Sequence, residues 1–120
     1  MRRAFLISLF LPAFLLASDP SGRWRAEMPK FNGQQMWEVI EITVKDSAVT
    51  GTFHDAFKNP HKIQDGKWDG KKISWRMLWQ KVDGKDEWAS ITGYLDGETL
   101  VLRFKAGPQD RKIIYHRAAK

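Results

Sequence analysis

From Ile73 to Gln80 the chain alternates without a break, with Ile73, Trp75, Met77 and Trp79 on one side and Ser74, Arg76, Leu78 and Gln80 on the other. A period of two, rich in β-branched and aromatic residues, predicts a half-buried strand. Asp69-Gly70 just before it supplies the left-handed backbone of a tight hairpin, so Asp65 to Lys81 reads as a strand end, a turn and a second strand. The same alternation recurs along the chain. Trp24, Ala26 and Met28 against Arg23, Arg25 and Glu27 predict a first strand, and Pro29 to Gln34, with its Pro, Asn and Gly, predicts a loop. Met36 to Val44 is a second strand with Met36, Ile40, Ile42 and Val44 on one face, where Glu38 also falls.

Lys45 to Ala48 turns the chain into a third strand, Val49 to Phe53, in which Gly51 marks a bulge or a close backbone approach. Phe57 to His61, containing Asn59-Pro60, reads as a loop, and Ile63 to Trp68 as a fourth strand. The tryptophan-rich segment is the fifth. Glu87 to Leu95 is the sixth, and either Trp88, Ser90, Thr92 and Tyr94 or Ala89, Ile91, Gly93 and Leu95 make a credible inward face. Leu100, Leu102 and Phe104 define a seventh strand, Gly107-Pro108 breaks it, and Lys112 to Arg117 is the eighth. Asp-Gly recurs at 65, 69, 83 and 96, as hairpin turns require. Short strands with turn-sized links and no helical period predict an all-β fold: a single antiparallel eight-stranded up-and-down barrel, with a two-sheet sandwich as the alternative. Closure removes exposed strand edges and leaves an interior that side chains nearly fill or that holds one small ligand.

The N-terminus changes the picture of where this domain works. Met1-Arg2-Arg3 precedes an apolar run from Ala4 to Ala17, and Ser18-Asp19-Pro20 then turns polar. That is the pattern of a secretory signal peptide over residues 1–17, and the run is shorter than the roughly 20 residues that cross a bilayer. The expectation is export, to the periplasm or the medium, of one domain over residues 18–120 with no membrane span. The chain has no cysteine, which excludes disulfides and a lipid-modified cysteine. An unstapled domain of this size needs good burial, for which the six tryptophans are the natural source. The formal charge of +6 falls to +4 once Arg2 and Arg3 leave with the leader. The charges are scattered, so nucleic acid is not an expected partner, whereas an anionic glycan or membrane surface fits a mildly basic exported protein.

Gly22-Arg23-Trp24 at the first strand, with Arg117 in the last, resembles the calycin pattern of lipocalins, fatty-acid-binding proteins and avidins. In that pattern a Gly-x-Trp packs against a late basic side chain at the closed end of the barrel. The layout is similar to the avidins: Thr50-Gly51-Thr52-Phe53, Trp75 and Trp79 in the fifth strand, then Trp88, Ser90 and Thr92 in the sixth. The first loop lacks the avidins' Asn and Leu-Gly-Ser signature and the eighth strand has no aspartate for a ureido ring, so this resemblance implies the fold and not biotin binding. The run Gly22-Arg23-Trp24, Thr50-Gly51-Thr52, Ile63 to Gly70, Ile73-Ser74-Trp75 and Thr92 to Gly97 also resembles small exported bacterial domains of unknown function. It implies a β-barrel and export, but no reaction.

Candidate chemistry is sparse. Glu38 on an apolar face either reaches water at a barrel rim, because isolated buried carboxylates are costly, or points into a cavity. Acid–base work would need Glu38, Ser90, Thr92, Tyr94 or His116 brought together from inward faces, and no spacing pairs them, so no catalytic residue is assigned. His54, Asp55 and His61 lack a metal-site spacing, and Lys67 stands where a calcium loop over Asp65 to Gly70 needs an oxygen ligand. No metal or cofactor is expected. Trp75, Trp79 and Trp88 on adjacent strands either fill the core or wall a pocket, which with polar anchors predicts a ligand site of Glu38, Trp75, Trp79, Trp88, Ser90 and Thr92. The expected function is an exported non-catalytic binding module for a small apolar or amphipathic molecule or another envelope component. The alternative is an interaction or inhibitor-type barrel presenting the Phe57 to His61 loop to an exported protein, as in the similar barrels of periplasmic protease inhibitors, whose cysteine pair is missing here. A small barrel enzyme is a third reading.

Overall fold

Among the described residues nine strands make one antiparallel sheet: β1 (Gly22–Phe31), β2 (Gln34–Lys45), β3 (Ala48–His54), β4 (Pro60–Lys62), β5 (Gln64–Trp68), β6 (Lys72–Val82), β7 (Lys85–Asp96), β8 (Thr99–Ala106) and β9 (Gln109–Arg117). The computed structural model describes residues 19–119, and the leader expected over residues 1–17 lies outside them. Apart from β4 and β5, each strand pairs with its sequence neighbour, and β1 pairs with β9 through Trp24–Arg117 and Arg25–His116, so the sheet closes on itself. β4 and β5 share one place beside β3: Pro60–Lys62 pairs with its far end and Gly66–Lys67 with its start. The result is a closed eight-stranded antiparallel barrel with one extra short strand, consistent with a calycin-like fold. Among the described residues no helix is long and apolar enough to cross a membrane.

The period-two pattern sorts the side chains as read from the sequence. Trp24 and Ala26, Ile40 and Ile42, Val49 and Phe53, Ile73, Trp75 and Met77, and Leu100, Leu102 and Phe104 point inward and are buried. On β7 the inward set is Ala89, Ile91, Gly93 and Leu95; Trp88, Ser90, Thr92 and Tyr94 face out. Trp24, Trp68 and Trp75 are buried, each removing about 150–250 Å² from water, or roughly 4–6 kcal/mol of transfer free energy. Trp37 and Trp88 instead lie outside, under the guanidinium groups of Arg25 and Arg76 at 4.2 and 4.3 Å.

Three local expectations change. Pro29 to Gln34 is not a loop: β1 runs on to Phe31 and turns at Asn32-Gly33, whose φ values of 52° and 77° match a two-residue type I′ hairpin. Pro29 fits a strand here because it falls in a break of the β1–β2 register and past the last β1–β9 pair, where no ladder donor is needed. The Phe57 to His61 loop is shorter than expected, since Pro60 and His61 already belong to β4. Asp65-Gly66 is a bulge rather than a turn. Asp65 is left-handed at φ 53°, both β3 and β6 shift register there, and a Cβ on Gly66 would lie 2.3 Å from the Val49 carbonyl oxygen.

One end is closed by the signature the sequence suggested. The Arg117 guanidinium lies 4.3 Å from the Trp24 ring centre and donates to the carbonyls of Ser21 and Asp19 at 2.7 and 3.0 Å, while Trp24 Nε1 donates to Pro20 at 2.9 Å. The other end gathers the Asn32-Gly33, Asp55–Asn59, Asp83-Gly84 and Gly107-Pro108 connections.

Candidate functional site

The interior near the open end holds a polar cluster within an aromatic wall. Glu38, on the inward face of β2, is 3% exposed. It does not reach water at a rim. Tyr115 Oη donates to its Oε1 at 2.6 Å, and Arg111 Nη2 lies 3.3 Å from Oε2. Tyr115 and Arg111 are four residues apart on β9, so both point inward, and β1, which lies between β9 and β2, pairs with β9 only at Trp24 and Arg25. Towards the open end the two strands are not paired, and the half-buried Arg111 occupies that region, its Nη1 3.9 Å from Met28 Sδ and its guanidinium 4.6 Å over Phe104. Burial first, and then the Glu38 charge, hold the Tyr115 phenol well above its usual value, so it stays a donor to the carboxylate.

From Phe104 the aromatic contacts continue. Trp79 meets its ring edge-on at 4.7 Å, and His61 stacks on Trp79 at 4.5 Å. His61 Nδ1 contacts the Leu78 carbonyl and Nε2 the Asp55 carboxylate, both at 2.9 Å. Both partners are acceptors, and the ring bridges them.

That histidine anchors the most distinctive loop of the open end. Asp55 Oδ1 accepts from the backbone N–H groups of Phe57 and Asn59 at 2.9 and 3.0 Å, Asp55 N–H donates to the Asn59 carbonyl, and Lys58 N–H donates to the Asp55 carbonyl. Lys58 takes up a left-handed conformation, φ 68°, to close the turn. Burial alone would raise the Asp55 carboxyl, but hydrogen bonds from His61, Asn59 and Phe57 outweigh it and hold the group below the usual aspartate value. At the loop's apex Phe57 is 60% exposed, with its ring 5.2 Å edge-on from the exposed Phe31 of the neighbouring hairpin. Behind it, a groove of about 490 Å³ runs over the outer faces of β1, β2 and β3, lined by Arg25, Gln35, Trp37, Val39, His54 and Phe57 among others.

The six residues expected to share a ligand site are divided between two faces. Glu38 and Trp75 are buried inside and Trp79 half-buried at the open end; Trp88, Ser90 and Thr92 lie on the outer face of β7. Tyr94 and His116 also face out, so the wall separates every other acid–base candidate from Glu38. His54 and His61 sit on opposite faces of their hairpin, His54 beside Glu41 at 3.7 Å, and among the described residues no three His, Asp or Glu side chains are placed to hold a metal ion. Two buried donors, Trp75 Nε1 and Arg111 Nε, have no acceptor among the described residues. Sequence reasoning missed Arg111, Tyr115 and the Asp55–His61 tie. Inward alternation through Arg111, Ile113 and Tyr115 was the available signal for the first two, whereas nothing in the spacing of Asp55 and His61 distinguishes a tied loop from two surface residues. No protein-family model, no curated protein and no solved structure matches the chain.

Proposed function

We propose that this chain is an exported, non-catalytic binding module that captures a protein partner through the loops of its open end, with Phe57 as the anchor. The observation that carries this reading is the conformation of the Asp55–Asn59 loop: an aromatic side chain 60% exposed at the apex of a backbone fixed by four local hydrogen bonds and the His61–Asp55 contact. An anchor held ready loses little conformational freedom on binding, which is how small loops reach useful affinity. Phe31 widens the apolar surface, and Trp37 with Arg25 supplies the aromatic and guanidinium groups favoured at interface centres. A barrel interior packed with tryptophan, tyrosine and phenylalanine favours this outer surface over a deep pocket. Export is supported by the basic and apolar leader pattern, and kinship with small exported bacterial barrel domains by the Thr50-Gly51-Thr52 and Ile63 to Gly70 runs.

Capture from the exported protein fraction by immobilised wild-type chain and by a Phe57→Asp variant tests the proposal. A partner retained by the first and lost by the second supports it, and identical captured sets would sink it. A second reading, a small amphipathic ligand at the Trp79 end, is favoured by the two unpaired buried donors Trp75 Nε1 and Arg111 Nε, which an acceptor-bearing molecule would satisfy. Its test is tryptophan fluorescence across a lipid and saccharide panel, with Trp79→Ala as the control; an unchanged spectrum throughout removes it.

A further inference from the structure

We propose that the outer face of β7, β8 and β9 carries a second binding site, for an anionic polysaccharide. The cross-strand register sets Lys72, Tyr94, Val101 and Ile114 in one row and Ser74, Thr92, Arg103 and Lys112 in the next. Val101 points outward yet is only 7% exposed, because Tyr94 and Ile114 on either side, 45% and 49% exposed, cover it. Between the two rows lies a groove of about 370 Å³ with Val101 in its floor, Tyr94 and Thr92 on one side, and Lys72, Arg103 and Lys112 around it. Two further grooves, of about 510 and 320 Å³, adjoin it at Lys72 and bring in Lys71 and Lys67.

Charge identifies the occupant as an anion. Among the described residues Lys67, Lys71, Lys72 and Lys112 take part in no ion pair. Two of the carboxylates near this groove already have donors, and Asp96, beyond Tyr94 on the same face of β7, is an exposed third. Asp110 is held by Arg103 through two contacts of 2.8 and 3.2 Å, and Asp69 accepts the backbone N–H groups of Lys71 and Lys72 at 2.8 and 2.7 Å. Four ammonium groups outside any ion pair line a set of connected grooves, an arrangement that raises the local concentration of anions.

Shape and polarity select among anions. The site is elongated and recessed, so a chain lies in it better than a flat surface does. Tyr94 offers a ring face with a hydroxyl at its tip, which suits the C–H face of a sugar whose edges carry hydroxyls, and Thr92 adds a hydroxyl beside it. A bilayer would need apolar side chains that project beyond the basic ones, whereas Tyr94 and Ile114 border a recess.

The full exported chain is titrated with polygalacturonate and dextran sulfate, with neutral dextran and phosphatidylglycerol vesicles as comparisons. Binding to at least one anionic polymer and none to dextran is expected. It should weaken at least about tenfold in a Lys72→Ala/Lys112→Ala double variant and at raised ionic strength, as charge-assisted contacts require. Tyr94→Ala, which leaves every cation in place, should weaken it several-fold. All three residues are exposed, and unchanged melting temperatures verify the fold. No binding to either polymer, tighter binding to the vesicles, or a Tyr94→Ala variant that binds as well as wild type would each overturn the proposal.

Discussion

Replacing Tyr115 by phenylalanine removes one oxygen atom from the core and so isolates the hydrogen bond on which the buried carboxylate of Glu38 depends. The hydroxyl lies 2.6 Å from Oε1, and Glu38 is 3% exposed, so water does not replace it. Without it the carboxylate keeps only Arg111, at 3.3 Å and half-buried. A hydrogen bond to a charged group contributes about 1.5–3 kcal/mol, so the variant should lose about 2 kcal/mol, or about 8–16 °C of melting temperature in a domain of this size. Urea unfolding followed by tryptophan fluorescence measures it. In a Glu38→Gln background the acceptor is neutral and the same substitution should cost about 0.5–1.5 kcal/mol, leaving a coupling of about 1 kcal/mol between the two positions. The pH dependence has a definite sign. Burial and Glu38 raise the folded-state value of Tyr115 above the ordinary 10.0, so its contribution is complete below pH 10 and is lost as the pH climbs from there towards the folded-state value. The gap between wild type and Tyr115→Phe should therefore narrow above about pH 10. A variant within about 0.5 kcal/mol of wild type at neutral pH, or an equal cost in both backgrounds, would refute the reasoning.

Other consequences follow from single positions. Arg117→Ala removes a cation–π contact with Trp24 and two donors to backbone carbonyls, and should cost about 2 kcal/mol by denaturant titration. Gly51→Ala places a Cβ 1.8 Å from the Glu41 carbonyl oxygen at a φ of 143°, so it should cost about 3 kcal/mol or more, or prevent folding, as circular dichroism would show. Asp55→Asn should speed hydrogen exchange at the Phe57 and Asn59 amides without lowering protection in β8. Because Asp55 is held below its ordinary 3.8, its contribution is present above that pH and disappears as the pH falls through the lower folded-state value; the Asn variant should lack this acid-dependent step.

The wall of the barrel was legible because alternation encodes which face of a strand is buried, and Trp24 to Met28, Ile73 to Trp79 and Leu100 to Phe104 keep it cleanly. Gly51 was legible as a close approach for the same local reason. Alternation could not choose the inward face of β7, where Ala89-Ile91-Gly93 and Trp88-Ser90-Thr92 both qualify; that choice depends on volume, since three tryptophans and Tyr115 already fill the barrel and leave room for small residues opposite. Pro29 misled because a strand tolerates proline wherever the ladder is interrupted, which is a property of the register and not of the residue. The buried Glu38 was visible as an anomaly, but its partners lie 73 and 77 residues away on β9, beyond any local pattern. The tie between Asp55 and His61 belongs to the same class, with loop and strand meeting only after β4 docks on β3.

The central claim is that the tied Asp55–Asn59 loop presents Phe57 to an exported protein, and the most direct test is the affinity of the captured partner, once purified, for wild-type chain and for Phe57→Ala. Truncating an interface anchor costs about 2 kcal/mol or more, so the variant should bind at least about 30-fold more weakly while melting at the wild-type temperature. Equal affinities, or the absence of any partner retained by the wild-type chain, would contradict the account.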